Sequence, residues 1–122
     1  MKWKKNRYLC LTLLTTISII YACEKETIKP IKIETVSYKT DIAPIFANKC
    51  AQCHNGSRNP NLSSAVAAYN SLKSGGYYNI TAPADSKIYI KLSDKSSSHV
   101  GRASDVQIQE ILLWITLGAK ND

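Results

Sequence analysis

Two cysteines and a histidine lie close together near the middle of the chain: Cys50, Cys53 and His54, in the order Cys-Ala-Gln-Cys-His. Two thiols separated by two residues can reach the two vinyl groups on one edge of a porphyrin. A histidine directly after the second cysteine can then turn under the iron. The types and spacing of these residues therefore predict the covalent attachment of one haem c.

A disulfide and part of a zinc site are the two alternatives for this pattern. In an exported protein, two nearby thiols normally pair, because the compartment is oxidising. Zinc would need further ligands, and His54 and His99 are the only histidines of the chain. Cys50, Cys53 and both histidines would make four ligands. Three ligands close together with the fourth far away is, however, an unusual spacing for a zinc site.

The amino-terminal residues have the pattern of an export signal. A basic opening precedes the apolar run Tyr8–Ile20, and Ala22 then precedes Cys23. The apolar run is short for a membrane span, and a small residue at the end is typical of a cleavage site. Residues 1–22 resemble a bacterial lipoprotein signal peptide, which implies that Cys23 becomes the lipidated first residue. The alternative is an uncleaved membrane anchor.

Under either interpretation, we expect the chain after residue 23 to lie outside the cytoplasm and to be held at a membrane. The lipoprotein interpretation places it in the cell envelope, in the periplasm or at the outer membrane, through a lipid on Cys23. Four of the 16 lysines and arginines lie in the signal, which leaves twelve against nine acids, a net charge of +3. The basic character of the whole chain is thus partly a targeting feature, and it does not indicate a nucleic-acid partner.

The mature chain is predicted to have two parts. Residues 23–37 form the lipidated cysteine and a charged, proline-interrupted tether, with a short strand from Ile31 to Val36 as the alternative. Residues 38–122 form one domain with four helical patches. The first patch is predicted to run from Asp41, as N-cap, to about Lys49, and the second from Ser63 or Ser64 to Gly75 and Gly76. The third is the short segment "DSKIYIKL", which Pro83 and Asp85 introduce. The fourth begins at the capping box of Ser104 and Gln107 and ends at Gly118. A domain of this size buries a modest apolar core, which a covalently bound porphyrin would complete.

The stretches "YKTDIAPIFANKCAQCH", "NPNL" and "ILLWITLGAKND" resemble those of bacterial class I cytochromes c, and more closely the small monohaem lipoprotein cytochrome c domains. The resemblance covers about residues 38–122. It implies an all-α fold, a small cytochrome c fold of about four short helices around one covalently attached haem. It also implies an electron carrier rather than an enzyme.

The resemblance carries specific roles to matching residues. It implies that Cys50 and Cys53 form the thioethers and that His54 is the proximal iron ligand. The carbonyl of Pro60 is expected to hold the other ring nitrogen of His54. Leu62 is expected to pack on the porphyrin ring.

Further expectations concern aromatic and polar residues of the same domain. Phe46 and Trp114 are expected to form an aromatic pair where the first and last helices cross. Tyr69, Tyr77, Tyr78 and Arg58 are candidate donors to the haem propionates, and Arg58 and Tyr77 are favoured.

The sequence departs from the family before the last helix, where relatives commonly carry a methionine that binds the iron. The only methionine here is Met1, and the corresponding place reads "SSSHVGRAS". We expect His99 to be the second axial ligand, because a neutral imidazole is a good iron ligand. The alternative is that Val100 stands where methionine would be and that the sixth iron position is open.

The two alternatives at the sixth iron position predict different functions. With both axial positions filled by histidine, the protein would pass single electrons between redox protein partners at the membrane. Its potential would be lower than in relatives with a methionine ligand. An open position would instead make it a haem-based gas or peroxide binding protein, with peroxidase-like activity as a further outcome.

Overall fold

The computed structural model describes residues 35–122, which form an α-helical domain. The four α-helices are α1, Ala43–Lys49; α2, Ala65–Ser74; α3, Lys87–Ser93; and α4, Asp105–Thr116. A π-helical turn, Tyr38–Ile42, runs directly into α1, and a 3-10 turn, Pro83–Asp85, precedes α3. No strand occurs within residues 35–122. The prediction of an all-α fold is therefore confirmed. The predicted signal, the lipidation site Cys23 and most of the tether lie outside the described residues.

The first helical segment begins earlier than the sequence predicts. Asp41 is not the N-cap, because the chain is already helical from Tyr38. The carboxylate of Asp41 instead accepts a hydrogen bond of 2.7 Å from the backbone N–H of Ser37, four residues before it. The side chain thus satisfies one free donor at the start of the π-helical turn. The predicted end at Lys49 is correct.

The predicted caps of the two longest helices are present. The Ser64 hydroxyl accepts from the backbone N–H of Ala67 at 3.2 Å at the start of α2. Ser104 and Gln107 form the reciprocal capping box at the start of α4. Beyond the carboxyl ends of these helices, Gly76 and Gly118 have φ angles of +60° and +97°. Side chains other than glycine rarely adopt these angles, and the two glycines therefore allow the chain to leave each helix sharply.

The core forms where α4 crosses the start of the chain. Trp114 of α4 is fully buried, and its ring lies 5.4 Å from Tyr38 and 5.3 Å from Tyr78, centroid to centroid. Among the described residues the aromatic partners of Trp114 are tyrosines. The predicted pair of Phe46 and Trp114 is therefore wrong. Tyr38 occupies that place because the helical segment begins earlier than expected.

Hydrogen bonds between distant residues close the domain around this core. Tyr38 donates from its hydroxyl to the Ala65 carbonyl at 2.6 Å, and its backbone N–H donates to the Asp122 side chain at 2.9 Å. Trp114 Nε1 donates to the Lys120 carbonyl at 2.9 Å. Burial raises the pKa of Tyr38 to about 12. These bonds fix both ends of residues 38–122 against the same aromatic cluster.

None of the helices within residues 35–122 has both the length and the apolar character needed to cross a membrane.

Candidate functional site

A cavity of about 730 Å³ lies between α1, α3 and the loops that precede α2 and α4. Its apolar wall is built from Phe46, Leu62, Leu72, Ile88 and Leu92. Both cysteines of the described residues and both histidines of the chain also line it. The volume lies in the range of pockets that hold cofactor-sized molecules. The cavity is therefore the candidate functional site.

The two cysteines are presented by the turn that ends α1. The N–H of Cys50 donates to the Phe46 carbonyl at 3.0 Å, and the N–H groups of Cys53 and His54 donate to the Cys50 carbonyl at 3.1 and 3.0 Å. Cys50 is half-buried, Cys53 is exposed, and both are free thiols. Burial raises the pKa of the Cys50 thiol, while the positive charge of Arg102 opposes this effect. The turn thus brings Cys50, Cys53 and His54, which lie within five consecutive positions, to the lining of one cavity.

His54 is held in one orientation by the loop that follows it. Its Nδ1 lies 3.0 Å from the Pro60 carbonyl, and its own carbonyl accepts from the N–H of Leu62 at 2.7 Å. A carbonyl only accepts hydrogen bonds, so this contact requires the proton on Nδ1. The lone pair is then on Nε2, which leaves that atom free to bind a metal. The Pro60 carbonyl thus lies beside the ring nitrogen to which the sequence assigns it, and Leu62 is buried and lines the cavity.

His99 lies opposite His54. The centroids of the two imidazole rings are 6.2 Å apart, with 36° between the ring planes. The pKa of His99 is lowered, first by its partial burial and then by electrostatic repulsion from its neighbours His54, Lys91 and Arg102. These effects favour the neutral imidazole, whose unprotonated nitrogen is a potential metal ligand.

A serine connects the His99 loop to helix α3. The Ser97 hydroxyl donates to the Lys91 carbonyl at 2.8 Å and accepts from the backbone N–H of His99 at 3.2 Å. A second serine, Ser98, has its hydroxyl 3.3 Å from Nδ1 of His99. Ser97 therefore links the backbone of His99 to the last turn of α3, and this link helps to hold the imidazole on the cavity wall.

The other two interpretations of the cysteine pattern receive no support from this geometry. Cys50 and Cys53 are not bonded to each other. Across residues 35–122, no three histidine, cysteine or acidic side chains are close enough to hold a metal ion by themselves. The four side chains line one cavity but do not converge on a point, as four zinc ligands would have to.

The four candidate donors to carboxylates fall into two groups. Arg58 and Tyr77 line the cavity. Tyr69 donates instead to the Ala119 carbonyl at 3.1 Å, and Tyr78 packs on Trp114. These two tyrosines belong to the core, and of the four candidates the two that sequence reasoning favoured are the ones that reach the cavity.

The cavity is also lined by four cations that the sequence did not identify as candidate site residues. They are Lys49, Lys87, Lys91 and Arg102, and all four are exposed. Arg102 lies near enough to influence the pKa values of both Cys50 and His99. The sequence could have indicated Arg102, because it follows the candidate ligand His99 by three positions in the same loop. The lysines of α3 and α1 reach the cavity only through the packing of the helices.

No known protein family, curated protein or solved structure matches this chain.

Proposed function

We propose that this protein is a membrane-tethered monohaem cytochrome c of the bacterial class I type, and that it carries single electrons between redox partners. The cofactor would be one haem c, bound covalently through Cys50 and Cys53. The fold would then be a small cytochrome c fold, in which the four helices surround the porphyrin. Haem c supplies reversible one-electron chemistry when it is bound.

The observation that carries this proposal is the relation between His54 and His99. Two collinear imidazoles bound to one metal ion, with metal–nitrogen bonds of about 2.0 Å, have ring centroids about 6.4 Å apart. The centroids of His54 and His99 are 6.2 Å apart. Both rings line the cavity that also holds the two thiols. This separation leaves room for one metal ion between the two rings, which supports the proposal that His54 and His99 would both bind the iron.

The residues around the two histidines have distinct roles in this proposal. The Pro60 carbonyl accepts a hydrogen bond from Nδ1 of His54, which increases the electron donation of the ring and fixes its orientation. Ser97 holds His99 through its backbone. Phe46, Leu62 and Leu92 are buried and line the cavity, so they would give the porphyrin an apolar wall to pack against.

The lipid anchor is the part of the proposal that depends on the sequence pattern alone. Cys23 follows a short apolar run and a small residue, as in bacterial lipoproteins. We propose that a lipid on Cys23 holds the protein in the cell envelope, with residues 23–37 as a tether. Redox partners would then be proteins at the same membrane.

The first experiment is to export the full chain from a bacterial host that attaches haem c, and to record its mass and absorption spectrum. We expect the haem to add about 616 Da, beyond the mass of any lipid on Cys23, and to give a low-spin spectrum. The Cys50→Ala/Cys53→Ala double variant is the matched control and should lack covalently bound haem. Exported protein with neither added mass nor a Soret band would contradict the proposal.

Replacement of the second histidine tests the identity of the sixth ligand. In wild type, added carbon monoxide should leave the low-spin spectrum nearly unchanged. The His99→Ala variant should become high-spin and bind carbon monoxide rapidly, because its sixth position is open. A wild-type spectrum that survives this replacement would exclude His99. A high-spin wild type that binds carbon monoxide would instead favour the gas or peroxide binding protein.

A further inference from the structure

The charges of the domain are distributed unevenly around the cavity. Residues 35–122 contain nine lysines and arginines and six acids. Five of these nine cations line the cavity, namely Lys49, Arg58, Lys87, Lys91 and Arg102. Of the six acids, only Asp94 lines it. The rest of the domain carries four cations against five acids. One face thus carries a net charge of about +4, and the remaining surface is close to neutral.

The cations of this face are available to a partner. All five are exposed, and none of them forms an ion pair with a carboxylate among residues 35–122. The single acid is already engaged, since the Asp94 carboxylate accepts hydrogen bonds from both the N–H and the hydroxyl of Ser96. By contrast, Lys95 lies outside the cavity and does pair with Asp105, at 2.9 Å. The face therefore keeps a net positive charge, because the carboxylate of Asp94 offsets only one of its five cations.

One exposed apolar side chain belongs to the cavity lining, and a second directly follows a lining residue in the chain. Ile90 lines the cavity and is 50 % exposed, and Val100, next to His99, is 52 % exposed. Protein interfaces combine apolar contacts with a polar rim, whose charges steer the approach of the partner. Ile90 and Val100 would supply the apolar contacts, and the lysines would supply the rim.

We propose that this face, defined by Lys49, Arg58, Lys87, Lys91 and Arg102, is the docking surface for an acidic redox protein. That the partner is a redox protein rests on the proposed function. The docked partner would give one electron to the haem, or take one from it, at the haem edge near the exposed Cys53. A cofactor with two carboxylates would reduce the charge of the face by two and leave it positive. Long-range attraction between opposite charges increases the rate of encounter, and this attraction is screened by salt.

The binding experiment uses the full chain with its cofactor and a poly-glutamate peptide as the acidic probe. Lys87→Glu/Lys91→Glu alters the docking surface, and Lys73→Glu/Lys120→Glu is the control with the same change in net charge. Lys73 and Lys120 are both exposed and lie outside the cavity lining. We expect peptide-induced NMR shifts to be confined to the docking surface. At low salt, affinity should fall about tenfold in the first variant and less than about twofold in the control.

Two results would overturn this inference. Equal weakening in both double variants would show that only net charge matters. Binding to vesicles of anionic phospholipid, lost in Lys87→Glu/Lys91→Glu, with no binding of the peptide, would identify a membrane surface as the occupant instead.

A kinetic measurement separates this inference from the proposed function. Oxidation of the reduced protein by hexacyanoferrate(III), a trianion, should slow as salt is added and should slow about tenfold in Lys87→Glu/Lys91→Glu. Oxidation by a tripositive cobalt(III) chelate should show the opposite salt dependence. If the haem spectrum and added mass are present but salt has no effect on either rate, the docking surface is wrong. If the haem is absent, the proposed function fails instead.

Discussion

The ring centroids of His54 and His99 lie 6.2 Å apart on the lining of one cavity, although His99 follows His54 by 45 positions in the chain. His54 is oriented by a carbonyl within a closed loop, whereas His99 is held mainly through a serine on its backbone. The two imidazoles therefore differ in how firmly they are fixed. Variants of the His99 loop are therefore expected to change how firmly His99 is held.

In the proposed cytochrome, replacement of His99 by methionine should raise the reduction potential of the haem. A thioether donates less electron density to iron than an imidazole does, so it favours the reduced state. We expect an increase on the order of 100 mV, a fraction of the range of ~0.8 V that axial ligands control. Spectroelectrochemical titration of His99→Met and wild type measures this shift. An unchanged potential in a variant that retains a low-spin spectrum would argue against His99 as a ligand.

Replacement of Ser97 by alanine should loosen His99 without removing it. The hydroxyl links the Lys91 carbonyl to the N–H of His99, and loss of such a bond costs about 1 kcal/mol, or about fivefold in an equilibrium. We therefore expect carbon monoxide to bind about fivefold faster than in wild type. Stopped-flow mixing of the reduced protein with carbon monoxide measures the rate. Ser97→Thr should restore it.

The control for the Ser97 experiment is Ser96→Ala. The Ser96 hydroxyl donates to the carboxylate of Asp94 and not to the backbone of His99. Its loss should leave the rate of carbon monoxide binding within about twofold of wild type. Equal acceleration in both variants would show that the loop as a whole, rather than Ser97, holds the histidine.

Tyr38 should make the domain sensitive to alkaline pH. Its folded-state pKa of about 12 lies above the ordinary value of 10, because burial disfavours the phenolate. The corresponding stability is fully present below pH 10 and is lost as the pH rises to about 12. In Tyr38→Phe the hydrogen bond to the Ala65 carbonyl is lost, which should cost about 1 kcal/mol at pH 7.

Urea unfolding of Tyr38→Phe and wild type at pH 7 and pH 11 tests both effects. Since phenylalanine has no proton to lose, the disadvantage of the variant should shrink at the higher pH. A difference between the two proteins that is independent of pH would mean that Tyr38 does not remain protonated in the folded state.

Loss of the capping box should destabilise α4. Replacement of Ser104 by alanine removes the acceptor for the N–H of Gln107 and should lower the free energy of unfolding by about 1 kcal/mol. Urea denaturation measures the change. Ser63→Ala is a suitable control, because Ser63 is exposed and its backbone, not its hydroxyl, makes the local hydrogen bond to Asn61. Equal losses in the two variants would contradict a specific role for the cap.

The start of the first helical segment was mispredicted for a physical reason. Asp41 is a good N-cap residue, so local rules place the helix start there. The chain is helical from Tyr38 because residues far away stabilise that turn: its N–H bonds to Asp122, its hydroxyl bonds to Ala65 and its ring packs on Trp114. Contacts of this kind have no local pattern in the sequence, and the same contacts put Tyr38 where Phe46 was expected.

The sequence by itself determined the features that involve neighbouring residues. Helix caps at Ser64 and Ser104, the chain reversal at Gly76, and the turn that presents Cys50 to His54 all depend on hydrogen bonds between residues no more than about five positions apart. Residue type and spacing are sufficient to encode such bonds. The four-helix, all-α character follows from them.

Only the tertiary structure decided which distant side chains share one cavity. The sequence predicted His99 as the partner of His54 from residue type alone, without any basis for their distance. The tertiary structure placed the two ring centroids 6.2 Å apart, and it gathered the lysines of α1 and α3 with Arg102 around one cavity. The position of each of these residues depends on how whole helices pack. The hydrophobic effect that drives this packing is non-directional, so it does not specify which residues become neighbours. A short window of sequence contains no information about that packing.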